Sequence, residues 1–161
     1  MGSHIDRQFN RVYISVKDME RCVEFAAAAE GVTELIIQRA LITAAIVSYA
    51  RPFSGNRNHE KAEATPPLSS LNLTAEERVL HDRLCKIRNQ AIAHSDFEIN
   101  PSRPVEYHNT GFLVSSRIYD PLAEILNIRI IRALAQKVKT ELENKLFDLA
   151  RVAVRSSNSG S

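Results

Sequence analysis

Apolar positions at helical spacing recur in four separate stretches of the chain. From Lys17 or Asp18 to Glu30, the residues Met19, Cys22, Val23 and Ala26 fall on one helical face, the alanines add helix propensity, and Gly31 is placed to end the element. Ahead of it, Ile5 to Val16 alternates weakly through Phe9, Val12, Tyr13, Ile14 and Val16, a pattern equally consistent with an extended arm and a helical lead-in. Met1-Gly2-Ser3-His4 reads as a tag remnant.

A second helix is expected from Glu34 to about Tyr49, capped by Thr33. Its Leu35, Ile36, Ile37, Leu41, Ile42, Ala45, Ile46 and Tyr49 are apolar on more than one face, which predicts a central position. Arg51-Pro52 stops it, because a residue preceding proline disfavours the α region. Residues 53–73, with Ser-Gly-Asn and Pro66-Pro67, then read as a long surface loop.

Thr74-Ala75-Glu76-Glu77 announces the third helix as an N-cap and capping box. Leu80, Leu84, Ile87, Ala91 and His94 follow at spacings of four and three, so His94 is expected to end an otherwise apolar seam. Beyond it, Pro101, Pro104, the alternating Val105 and Tyr107, Asn109-Thr110-Gly111, and Phe112, Val114 and Ser116 predict a small β-hairpin or irregular insertion. Asp120-Pro121 opens the fourth helix, whose stripe of Leu122, Leu126, Ile130, Leu134, Val138, Leu142, Leu146, Leu149 and Ala153 reaches about Val154. Roughly 34 helical residues would extend about 50 Å and overhang an ordinary bundle. Ser156 to Ser161 is expected to be a disordered tail.

These elements predict an all-α fold: a four-helix up-and-down bundle occupying residues 5–155 as one domain, with the insertion between the third and fourth helices. At 161 residues, 44% hydrophobic and 25% charged, the chain can bury a core without disulfides or metal. Its two cysteines, Cys22 and Cys85, make no metal-like pair, so a reducing cytoplasm is the default and no membrane span is expected. A formal charge of +2 is too small to announce nucleic-acid binding, although a local basic pocket is compatible with it.

Chemistry concentrates at Arg88-Asn89-Gln90-Ala91-Ile92-Ala93-His94. An imidazole titrates near neutrality and can move a proton, and a guanidinium offers a planar fork suited to phosphate oxygens. On one straight helix, six residues separate Arg88 from His94 by about 9 Å of rise and roughly 120° of rotation, so cooperation between them favours a second copy across a two-fold axis. The plainer alternative is a hydrogen-bonded core histidine beside a structural arginine. Arg51, at the end of the second helix, is a candidate second phosphate ligand, although a helix C-terminus favours a cation for electrostatic reasons alone. Asp82 and Asp96 could support the motif or be plain solvated charges. Glu77 and His81, at i and i+4, make a weak metal pair lacking further ligands. No Gly-rich phosphate loop or nucleophile elbow is present.

The Arg88, Asn89 and His94 pattern resembles the signature of the HEPN superfamily: an arginine, a polar residue and, after four to six intervening positions, a histidine. The resemblance implies a small helical bundle that dimerises around the motif. It also implies a metal-independent endoribonuclease of the toxin or antiphage type that needs no cofactor, with Arg88, Asn89 and His94 as catalytic residues and Arg51 as a substrate-binding residue. RNA or a nucleotide, a second copy and an antitoxin protein are the partners it implies. A non-catalytic module of the same type, binding RNA, nucleotide or protein, is the alternative.

Overall fold

The computed structural model describes residues 4–54, 71–92, 102–107, 111–116 and 119–158. Four α-helices dominate: α1 His4–Gly31, α2 Leu35–Ala50, α3 Ala75–Lys86 and α4 Ile128–Asn158. Two strands, β1 Ser102–Tyr107 and β2 Gly111–Ser116, pair antiparallel between α3 and α4, with Val105 opposite Leu113, so of the two expected forms of the insertion it is the hairpin. Most of the expected loop, 55–70, lies outside the described residues, as do 93–100.

The first helix is far longer than its sequence pattern suggests. Val12, Val16, Met19 and Cys22 are all buried and continue one stripe at helical spacing, which makes the segment from Ile5 to Val16 a helical lead-in and removes the extended-arm alternative. Tyr13 and Ile14 hid that period because they are apolar yet stand outside the stripe, 45% and 42% exposed. At the other end, the Gln38 amide donates to the carbonyls of Ala29 and Val32, occupying acceptors that the end of a helix leaves open.

Ion pairs fix how the helices run. Glu30 meets Arg129 and Arg132, whereas Glu20 meets Lys139, so α1 and α4 are antiparallel. The extra length of α1 therefore lies beside the long α4, so the predicted overhang finds a companion. Between these helices and α2 sit Met19, Cys22, Ala26, Ala29, Ile42, Ala45, Ile46, Ile131, Leu134, Ala135, Val138 and Leu142, all in one buried cluster. Each large aliphatic member stabilises by about 1.5–3 kcal/mol on burial, so this seam is the main source of stability.

Three other expectations are corrected. Thr33 does not cap α2; Glu34 is the N-cap residue, and its side chain makes no cap hydrogen bond. The same helix is central only from Ile42 onward, and its Leu35, Ile36 and Ile37 are exposed. In the fourth helix most of the expected stripe is found: Leu134, Val138 and Leu142 are buried, and Leu122, Leu146 and Leu149 pack against the core. Among its described members Leu126 and Ile130 depart from it, facing solvent while Ile128 and Ile131 are buried instead.

Caps otherwise follow the sequence. Thr74 and Glu77 form the reciprocal capping box of α3, and Glu77 also receives Lys137 of α4 at 2.6 Å. Asp120 accepts from the Leu122 backbone at the head of a 3-10 segment, Pro121–Asn127, that precedes α4. Its carboxylate is also gripped by both arms of Arg39 from α2. The C-terminal helix runs through Asn158, so Ser156, Ser157 and Asn158 belong to it and not to a tail.

Candidate nucleic-acid site

The α-helical turn of α3 widens at Ile87 into a six-residue π-helical segment, Ile87–Ile92, which carries Arg88 and Asn89. Such segments are rare and recur at functional sites. Ile87 anchors the segment in the core, leaving Arg88 half-buried and Asn89 exposed. Arg88 donates through Nη1 to Asn89 Oδ1 at 2.9 Å, so the two neighbours form one polar unit at the bundle surface. The remaining guanidinium and amide N–H groups are donors of the kind that phosphate oxygens accept. His94 and Asp96 lie outside the described residues. The buried Oε1 of Gln90, one residue beyond Asn89, has no hydrogen-bond partner among the described residues.

The buried seam of α3 is His81, Leu84 and Ile87, with Leu80 only partly covered. His81 lies in the interior. Its Nδ1 is 3.0 Å from the Tyr49 hydroxyl, its Nε2 faces the Cys85 sulfur at 3.7 Å, and its ring meets Phe53 edge-on with centroids 4.5 Å apart. Burial lowers its pKa; the negative charge of Asp82 opposes this and Arg78 reinforces it. Cys85 is pushed up to about 11 by burial and by Asp82, against the pull of Arg88, so at neutral pH it is a thiol and not a nucleophilic thiolate. Burial likewise raises the Tyr49 hydroxyl, keeping it protonated. The Glu77–His81 metal pair does not form: Glu77 turns outward to Lys137, and His81 turns inward to Tyr49. Among the described residues, no three His, Cys, Asp or Glu side chains converge where a metal ion would be held.

Arg51 sits in a 3-10 turn, Arg51–Phe53, and donates to Asp18 Oδ1 at 2.8 Å. Arg21 approaches the same oxygen at 3.6 Å, and Arg11 donates to the Pro52 carbonyl at 3.3 Å. Asp18 is only 1% exposed. Its burial raises the carboxyl pKa, while Arg51, Arg21 and Arg11 pull it down. Sequence reading singled out Arg51 but missed its neighbours; the lone acid at i+7 from Arg11 and i−3 from Arg21 was the available signal. It also missed Glu124, fully buried against Arg83 at 2.6 Å and accepting from Asn127 at 3.1 Å.

A shallow cleft of about 360 Å³ lies elsewhere, between Leu71 and the Glu141 to Asp148 stretch of α4, remote from these groups in the chain. No helix among the described residues is long and apolar enough to cross a membrane. Compared with protein-family models, with curated proteins and with solved structures, the chain matches none.

Proposed function

We propose that the chain is a metal-independent endoribonuclease of the HEPN type, folded as an up-and-down bundle and acting as a homodimer in a reducing cytoplasm. The observation that carries this reading is the joined, solvent-accessible Arg88–Asn89 pair on a π-helical turn at the end of α3. His94 follows in the sequence at the spacing of that motif. A toxin or antiphage role, with an antitoxin protein as partner, belongs to the same reading.

In this reaction a ribose 2′-oxygen attacks the adjacent phosphorus and the bond from phosphorus to the 5′-oxygen breaks. His94 takes the 2′-hydroxyl proton or delivers a proton to the departing 5′-oxygen. Arg88 stabilises the charge on the non-bridging oxygens, and Asn89 orients the guanidinium and the scissile phosphate. The products are a 2′,3′-cyclic phosphate and a 5′-hydroxyl. Labelled RNA incubated in EDTA is cleaved to these ends by the native chain and stays intact with His94→Ala. Cleavage that a chelator abolishes, or that the His94 variant retains, overturns the mechanism.

A second reading, a binding module without turnover, is favoured by the same Arg88–Asn89 hydrogen bond, which already engages the guanidinium in the free molecule. It gives a shift of labelled RNA with no cleavage products.

A further inference from the structure

Three arginines from two elements gather around a single acid at the junction of α1 with the turn after α2. Arg51 and Arg21 both face Asp18, and Arg11 lies over the backbone of the Arg51 turn. Among the described residues, no other acidic side chain pairs with any of the three. The carboxylate is sealed, 1% exposed, while the side chains of Arg51 and Arg21 are 48% and 56% exposed. A guanidinium has five N–H donors, so one oxygen of Asp18 leaves most of these forks turned to water. Three cations sharing one buried anion leave a local excess of positive charge equal to the formal +2 of the entire chain.

We infer that Arg11, Arg21 and Arg51 form a docking site for the phosphates of a single-stranded RNA backbone, with Asp18 as their internal counter-ion and competitor. The inference rests on the nuclease reading for its choice of ligand and adds where the strand runs. Tyr49 and Phe53 flank Arg51 in sequence, and both rings meet His81. His81 precedes Arg88 by about 10 Å of helical rise, so a single strand of several nucleotides would reach both positions. Planar guanidiniums suit this task because they grip phosphate oxygens in pairs without reading sequence.

The test uses a fluorescein-labelled single-stranded 20-nucleotide RNA and the full chain carrying His94→Ala, with affinity read by anisotropy at several salt concentrations. Arg21→Gln and Arg51→Gln each weaken binding by about five- to tenfold, and together they flatten the salt slope by about 1.4, the value for two lost contacts to a single strand. Asp18→Asn tightens binding severalfold, because the arginines lose their internal competitor. That gain guards against misreading a folding defect, since a merely structural Asp18 would lower affinity when removed. Arg129→Gln, an equal charge loss beside Glu30, changes affinity less than twofold. Unchanged affinity in both arginine variants, weaker or unchanged binding by folded Asp18→Asn, or an equal loss in Arg129→Gln overturns the proposal. Because binding is read without turnover, absence of cleavage by the native chain counts against the nuclease reading alone.

Discussion

The hydroxyl of Tyr49 stands 3.0 Å from Nδ1 of His81, and both side chains are sealed in the core where α2 meets α3. A tyrosine kept protonated by burial donates, so the bond is satisfied with the imidazole neutral and its proton on Nε2, toward Cys85. Tyr49→Phe leaves Nδ1 without a donor in a closed interior and is expected to cost about 1–3 kcal/mol. Urea unfolding at pH 7.5 checks this; a loss below a few tenths would show that the bond contributes nothing.

The same histidine makes stability depend on pH. Its folded pKa lies below the ordinary 6.5, so its contribution is complete above that value and is lost as pH falls through the lower, folded pKa. Unfolding free energies of the native chain and of His81→Gln, measured from pH 8 to pH 5, should therefore converge on the acid side. Parallel curves would mean that His81 titrates alike in both states.

Removing Arg83 strands the fully buried Glu124, whose other hydrogen-bond partners among the described residues are Asn127 and Tyr119. Arg83→Met is expected to destabilise by about 3 kcal/mol, while Arg83→Met combined with Glu124→Leu recovers much of the loss. A double-mutant cycle by urea denaturation reads the coupling. Additive losses would show that the two groups act independently.

Arg88→Lys keeps the charge and discards the fork that meets Asn89. Under the proposed mechanism it lowers the RNA cleavage rate by about 10²–10³-fold with little change in binding, whereas Asn89→Ala has a smaller effect. Single-turnover assays separate the two. Equal activity of Arg88→Lys and the native chain would remove Arg88 from the chemistry.

How far these features were legible depended on the range of the interaction. The capping box at Thr74 and Glu77 and the Asp120-Pro121 helix start are local, so the residue types sufficed. The β1–β2 hairpin announced itself by alternation, a property of neighbouring residues. The expected stripe of the fourth helix holds at Leu134, Val138 and Leu142 but fails at Leu126 and Ile130, because only the facing elements decide which positions are buried. The role of His81 was not legible locally, because its ring is satisfied in the interior through Tyr49, a residue 32 positions away.

The sequence by itself determined four helices, the caps at Thr74 and Asp120 and an insertion ahead of the last helix, because backbone hydrogen bonding, propensity and short-range spacing act within a few residues. Only the tertiary structure decided that α1 reaches back to His4 beside α4, and that Arg11, Arg21 and Arg51 gather on Asp18. It also decided that the turn carrying Arg88 widens at Ile87. These outcomes arise where distant segments pack together. Burial there selects one helical face over another and obliges a charged side chain to find its partner across the fold.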